Sequence, residues 1–574
     1  MKILTLHCDY IKFKALKKAI KDIEDLSEKE KEEKEIKECL VVLTSIESGD
    51  TAKTVFQLIE AVEKTANEVK TDKIVLYPYA HLSSNLAKPS IASELLKEAE
   101  SQLSKKFKTT RAPFGYYKEF EFKCKGHPLA ELSKEFKSEG HTELKTNLIS
   151  KEEVIDHKKL LNQISRSKLD TSKLKDNDHR ILGQKLDLFS FNEVAPGMVF
   201  WHSNGLIIYN ELVNFWREEQ KKENYLEIKT PQIMDSKLWK VSGHWDKYKD
   251  NNFTTDYEDR PFLVKPMNCP GGMLVFRANS KSYKDLPLRV AEMGTVHRTE
   301  LSGVLNGLFR VIQFTQDDAH IFCADDDQVG EEIIGVARLI QKFYKKFNLE
   351  FDHVELSTRP EKRIGSDETW DRAEKMLAKA LDKIKLKYKI NKGDGAFYGP
   401  KIDFHVKDSL GRTWQVSTIQ LDFSMPERFD LEFTDKDNTQ KRPIMIHRVI
   451  YGSLERFIGI LLEHTNGALP LWLSPRQVRV ISFTDRNNKA TEKFAQEIKE
   501  AIPNLRVDTD TRSDTLQSKI RDAEMLKINY MIIIGDKEEE SKTLTVRSRG
   551  EKPKFGIKTS KLIEQIKEEI QERK

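Results

Sequence analysis

Cysteine is scarce in this chain of 574 residues, and what there is does not suggest pairing. Cys8, Cys39, Cys124, Cys269 and Cys323 lie far apart, odd in number and without a CxxC motif. That argues against a disulfide framework and leaves metal ligation or nucleophilic chemistry as the tasks open to a cysteine in a reducing compartment. Long apolar runs are missing too. No stretch of about 18 apolar residues occurs to span a membrane, and Met1–Tyr10 reads as a short strand rather than a basic, cleavable leader. The expectation is a cytoplasmic protein with no membrane partner. Net charge is small, +5, which permits a polyanionic partner without demanding one. There is no internal repeat and no low-complexity tract beyond lysine and glutamate runs.

What is present describes a soluble, globular, multidomain protein. Hydrophobic residues make up 38% and charged residues 33%. The length exceeds one hydrophobic core, and at roughly 100–200 residues per domain it predicts about three to five domains. The apolar runs Ile3–Cys8 and Lys73–Pro78 place strands in a compact α/β or β-rich unit over 1–136, in which Asp22–Lys37 is a charged, solvated face. From 137 to 178 the composition turns polar and reads as a linker, with one amphipathic helix possible over Ser150–Leu169. All seven tryptophans fall in the next globular stretch, 179–474. Such bulky anchors suit a large core. Over 475–574, strands at Val478–Phe483, Leu505–Asp508 and Met531–Ile534 alternate with helices at Thr491–Ala501 and Ile520–Leu526, which predicts a mixed sheet covered by helices.

Three strings carry the chemistry of the central stretch. Arg289–Glu300 and Leu308–His320 read as two antiparallel strands around a glycine-containing loop, and His447–Phe457 runs into an apolar helix. An isolated arginine on a strand is usually a surface residue. Taken together, the strings resemble motifs 2 and 3 of class II aminoacyl-tRNA synthetases, and Lys229-Thr230-Pro231 after a helix at Leu206–Lys222 resembles motif 1. No HIGH or KMSKS-like pair, the marks of class I, is present. Lys265–Gly271, Gln316–His320 and Met445–Arg448 make the archaeal-type threonyl-tRNA synthetases the family the chain resembles.

The resemblance implies a multidomain α/β and α+β architecture: a class II antiparallel-sheet catalytic core over 179–474, an N-terminal editing domain related to D-aminoacyl-tRNA deacylases over 1–136, and an α/β anticodon-binding domain over 475–574. It implies threonine, ATP with Mg2+ and tRNA(Thr) as partners, and a homodimer formed around motif 1. Arg298 and Arg456 would hold the ATP phosphates, Glu300 would lie near the adenine, and Arg310 and Gln415 would complete the nucleotide site. Lys401 would stand near the adenylate, and His244 beside the tRNA 3′ end. Cys269, His320 and His447 would bind one Zn2+, which their spacing alone would never show. Met267, Gln316, Asp318, Tyr398 and Gln420 would line the threonine pocket. Gly272 departs from the histidine common at that place in the family, outside the metal ligands.

The physics fits those assignments. Attack of a carboxylate on the α-phosphorus builds charge on phosphate oxygens, which pre-placed guanidinium groups stabilise. A pocket built around the threonine hydroxyl rejects valine, but serine lacks only a methyl, worth roughly 1–3 kcal/mol, so proofreading is expected. Ala80, His81, Tyr117, Lys118 and Glu131 would form the editing pocket, and Arg521, Glu538 and Arg547 would read the anticodon, where arginine stacks on unpaired bases. A solvated-strand role for Arg547 and Arg549 stays open. The rival readings are an RNA-binding regulator that keeps the fold without the catalysis, and a ligase with an inactive editing site. None of Arg298, Arg456 or the metal ligands is lost, and His81 and Lys118 are both intact.

Overall fold

The computed structural model describes the chain except residues 21, 22, 24, 84, 128, 137–173, 244, 246–251, 409 and 410. Its contacts divide it into two units, Met1–Asp156 and His157–Lys574. The expected helix at Ser150–Leu169 falls outside the described residues.

The first unit is built on a six-stranded sheet. In order across it run Lys108–Arg111, Lys73–Pro78, Lys34–Ser45, Lys2–Lys18 and Tyr116–Cys124, with Glu131–Glu135 also paired to Lys2–Lys18. The opening strand is 17 residues long, well beyond the short strand expected. Its lysines do not stop it, because buried Ile11, Phe13 and Ala15 alternate with Lys12 and Lys14 at the strand period of two. Helices Ala52–Glu68 and Pro89–Leu103 cover one face, where Leu58, Val62 and Leu96 meet Val42 and Leu76. Of the charged run, Glu28–Lys31 forms one helical turn and Lys34–Lys37 opens the second strand.

The second unit centres on an eight-stranded sheet. Its order is Lys389–Asn391, Phe351–Ser357, Lys401–Lys407, Thr413–Asp422, Ile444–Val449, Gln313–Cys323, Leu288–His297 and Leu226–Glu227. Neighbours are antiparallel except at the two edges, where Lys389–Asn391 and Leu226–Glu227 pair in parallel. One face is closed by helices. The longest, Asp326–Lys346, starts where Asp325 accepts from the Gln328 amide, carries Asp326 and Asp327 in its first turn and ends on Lys345 and Lys346, the polarity a helix dipole favours. It buries Ile333, Ala337, Ile340 and Tyr344 against the sheet, and Ser203–Lys222 and Leu454–Thr465 add Trp216 and Phe457 to the same core. The opposite face is left for chemistry.

At the C-terminus, Val507–Asp510, Val478–Ser482, Tyr530–Ile534, Thr543–Ser548 and Lys554–Lys558 form a mixed sheet, parallel over the first three strands and antiparallel beyond. It is tied to the eight-stranded portion by arginines. Arg506 reaches Glu211 at 2.8 Å and the carbonyls of Trp472 and Ser474. Arg549 donates to the carbonyls of Ala468, Leu469 and Lys527, so it is a docking residue rather than a solvated one.

Candidate active site

The site is a row of residues crossing the eight-stranded sheet. Lys401 pairs with Gln420, Gln420 with His447, and His447 with His320, each directly opposite the next on neighbouring antiparallel strands. A strand exposes alternate residues on one face. The same face therefore carries Asp403 beside Lys401, Asp422 beside Gln420, and Asp318 and Gln316 beside His320. Residues more than a hundred positions apart in sequence become neighbours through register alone.

Cys269 joins this row from the first turn of the helix Cys269–Arg277. The ligand atoms of Cys269, His320 and His447 all lie within 4.8 Å of one another, and all three residues are buried. Asp422 lies 2.9 Å from His447 Nε2, which fixes the ring and assigns the proton to that nitrogen. His320 Nε2 is buried with no hydrogen-bond partner. Burial, reinforced by His447 and Arg448, holds the His320 imidazole neutral, well below its usual range. Burial also pushes the Cys269 thiol up, helped by the carboxylates of Asp318 and Asp422. An orphaned imidazole nitrogen, a thiol and a second imidazole beside two carboxylates fit a metal cation. Three protein ligands would leave a coordination position open for another molecule.

Small residues give the cluster its closeness. A Cβ on Gly272 would stand 3.2 Å from His320 Nδ1, and one on Gly294 would stand 2.2 Å from Asn268 Oδ1. Gly294 thus leaves room for Asn268, whose Nδ2 lies 3.4 Å from Asp318. Burial raises the Asp318 carboxyl to about 6 against the pull of His447. Tyr398 donates to Gln420 at 3.0 Å and its ring lies 5.5 Å from that of His447. A Cβ on Gly399 would run into the Leu421 carbonyl, so only glycine lets this loop sit so low on the strand. Met267 packs half-buried against the apolar group that includes Cys269, Met273 and Phe322.

The cationic end lies on neighbouring elements. Arg456, near the start of the helix Leu454–Thr465, donates to the carbonyls of Phe309 and Gln415, and its guanidinium lies 5.3 Å over Trp414. Its pKa is lowered by burial and by the nearby charges of Arg310 and Arg298. Arg298 donates to the Pro266 carbonyl and lies over Phe314. Arg310 and Glu300 pair with each other at 2.9 Å. Guanidinium groups clustered this closely are poised for an anion. Lys401 bonds Asp403 at 2.7 Å and Asp394 at 3.2 Å. Burial opposes its charge, but the two carboxylates outweigh it and raise the pKa. Gln415 donates to Asp403 at 2.6 Å. His244 lies outside the described residues.

The first unit holds a cavity of about 400 Å³ lined by Ala80, His81, Tyr117 and Lys118 together with Tyr77 and Phe120. Lys118 donates to the carbonyls of Pro113 and Tyr116, its ammonium sits 5.0 Å over the Tyr77 ring, and burial lowers its pKa to about 8. Glu131 is not among the lining residues; it sits on its strand opposite Leu6. At the C-terminus Arg521 is exposed on the helix Leu516–Met525, Arg547 on the strand Thr543–Ser548 pairs with Glu524 at 2.5 Å, and Glu538 on the helix Asp536–Ser541 accepts from Thr545 and the Gly535 amide.

Asn268, Asp403 and Asp422 were missed as site residues by sequence reasoning. The signal for the two aspartates was available, since each follows a named residue by two along a strand.

An antiparallel sheet with helices on one face and this row on the other defines the catalytic core of a class II aminoacyl-tRNA synthetase. Residues 252–465 match the family model "tRNA synthetase class II core domain (G, H, P, S and T)", residues 1–136 "Archaea-specific editing domain of threonyl-tRNA synthetase", and residues 477–569 "Anticodon binding domain". A threonine–tRNA ligase of Clostridium botulinum is 54% identical over 396 residues, 69% of this chain and 62% of that protein. The chain thus spans about 62% of the length of the curated relatives it matches. The crystal structure of the RNA binding domain of a threonyl-tRNA synthetase of Cryptosporidium parvum is 41% identical and covers 68% of this chain and 98% of that one, with a TM-score of 0.66. A threonyl-tRNA synthetase structure of Aeropyrum pernix is 31% identical and covers 69% and 96%, with a TM-score of 0.61. The chain belongs to the threonyl-tRNA synthetase family, with an archaeal-type editing domain at its N-terminus. No helix among the described residues is long and apolar enough to cross a membrane.

Proposed function

We propose that the chain activates L-threonine with ATP, transfers the threonyl group from its adenylate to tRNA(Thr), and hydrolyses mischarged seryl-tRNA(Thr) in its first unit. The observation that carries this reading is the His320–His447–Gln420–Lys401 row, with the ligand atoms of Cys269, His320 and His447 within 4.8 Å of one another and His320 Nε2 left without a partner. Cys269, His320 and His447 would hold one Zn2+, which would supply Lewis-acid chemistry toward the amino and hydroxyl groups of threonine. Asp318, Gln316, Tyr398, Gln420 and Met267 surround the rest of the amino acid. A site that pairs the hydroxyl rejects valine because that isostere would leave buried polar groups unmade. Arg298, Arg456 and Arg310 take the phosphates of ATP, which arrives with Mg2+, and Gln415, Glu300 and Lys401 place the nucleotide. Their guanidinium groups stabilise the charge that builds as the threonine carboxylate attacks the α-phosphorus. No protein nucleophile is required.

His244 is assigned to the 3′ end of the tRNA, and Arg521, Glu538 and Arg547 to the anticodon. His81, Ala80, Tyr117 and Lys118 serve editing within the first-unit cavity. The domain division is 1–136, a linker to 178, 179–474 and 475–574. The assembly is a homodimer around Lys229-Thr230-Pro231, acting in the cytoplasm.

Amino-acid-dependent ATP–pyrophosphate exchange tests the core of this reading. Exchange should be strongest with threonine, weaker with serine and nearly absent with valine, with about one zinc in the Cys269 site by this ligand count. A folded, zinc-loaded protein with no threonine-dependent exchange overturns it in favour of an RNA-binding role.

A further inference from the structure

Away from the Cys269 cluster, the same sheet carries a second group of metal-ligating side chains. His353 and Glu355 lie two apart on the strand Phe351–Ser357, hence on one face, and His405 lies directly opposite His353 on the strand Lys401–Lys407. The two imidazoles stack with centroids 4.4 Å apart and planes within 8°. His353 Nε2 is 3.2 Å from one oxygen of Glu355, and His405 Nε2 is 3.7 Å from the other. One ligand atom from each of the three residues lies within 4.8 Å of the other two.

Three features separate this group from an ordinary hydrogen-bonded staple. His405 Nε2 is buried and has no hydrogen-bond partner, since its distance to Glu355 is too long for one. His353 places its other nitrogen 2.7 Å from Asp352, which fixes the tautomer and ring as the outer carboxylate of a metal-bound histidine does. Asn391 donates to Glu355 at 2.9 Å and holds the third ligand in place. The side chains are between 15% and 21% exposed, so the group opens to solvent at its edge while His405 Nε2 stays buried.

We infer that His353, Glu355 and His405 form a second metal site for a divalent first-row transition ion, with zinc its natural occupant. Two imidazoles and a carboxylate are the borderline donor set that zinc accepts, with an open position left for water. The site is distinct from the Cys269 cluster, sharing none of its residues, and it contains no thiolate. An ion there ties the strand Phe351–Ser357 to the strand Lys401–Lys407, two residues along from Asp403 and four from Lys401. Its role is to hold the wall on which those two residues stand.

Metal counting with zinc and spectroscopy with cobalt(II) test this on the full chain. At micromolar free zinc, equilibrium dialysis should leave the wild-type protein with one more bound zinc than His353→Gln/His405→Gln. Cobalt(II) should give the variant an unchanged thiolate charge-transfer band, which reports the Cys269 cluster, while the thiolate-free d–d absorption of the second ion is lost. Zinc should also raise the melting temperature of the wild type more than that of the variant. If the Cys269 cluster held no zinc, both counts would fall by one and the difference between the proteins would remain. Equal metal content in wild type and variant sinks the second site. Should the double variant fail to fold by circular dichroism, Glu355→Gln, which keeps shape and removes the charge, is measured in its place, and metal content equal to wild type again overturns the assignment.

Discussion

At the scale of single residues, the candidate site depends on what surrounds its ligands as much as on the ligands. Asp422 orients His447 through its Nε2, so Asp422→Ala should weaken metal binding at the Cys269 cluster by about 10–100-fold, as removal of an outer carboxylate does; competition against a chromogenic chelator measures it. Gly294 is glycine because Asn268 occupies the space of its Cβ. Gly294→Ala should therefore push Asn268 off Asp318 and raise the KM for threonine in pyrophosphate exchange, with melting temperature as the control for folding. In the first unit, burial lowers Lys118 to about 8. An NMR titration of methyl-labelled lysines should find one ammonium losing its proton near pH 8, and Lys118→Met should remove that resonance. The named ligands were legible only through family resemblance, because Cys269, His320 and His447 have no local spacing pattern. Asp403 and Asp422 were readable in principle, since each follows a named residue by two on one strand and so shares its face.

At the scale of elements, periodicity made most of the strands and helices readable. The antiparallel pair Leu288–His297 and Gln313–Cys323 stands where its alternation predicts, and the C-terminal strands match to within two residues. The first strand was underestimated because its lysines read as a boundary when they mark a solvated face. Helix Leu454–Thr465 is joined to the sheet by Glu455, which accepts from the Thr315 amide at 2.9 Å and whose carboxyl burial raises to about 7. The folded state thus holds a proton that the unfolded chain, at 4.5, has already released. Stability from this group is greatest below the unfolded value and declines as pH rises through that window, by at most about 1.4 kcal/mol per pH unit. Glu455→Gln keeps the carbonyl acceptor and removes the titration. Urea unfolding from pH 4.5 to 7 should show a steeper loss for the wild type than for the variant.

At the scale of the whole molecule, the C-terminal sheet belongs to the same compact unit as the eight-stranded sheet, although composition and the βαβ alternation read it as a domain of its own. The reason is local chemistry. Arg549 and Arg506 donate to the backbone carbonyls of Ala468, Lys527, Trp472 and Ser474, and Arg549 shares the Leu469 carbonyl with Asn529. Arg549→Met should cost roughly 1–3 kcal/mol through the acceptors left without that donor, and hydrogen exchange should show the strands of 478–558 opening apart from the rest. The sequence by itself determined most of the strands and helices and the family, because hydrophobic period and motif strings are local properties of a chain. The tertiary structure alone decided that Lys401, Gln420, His447 and His320 share one row, that Arg549 docks rather than lies solvated, and that His353 and Glu355 meet His405. Those outcomes depend on strand register across antiparallel neighbours, and register is set by the packing of whole sheet faces against their helices, a quantity no short window of residues contains.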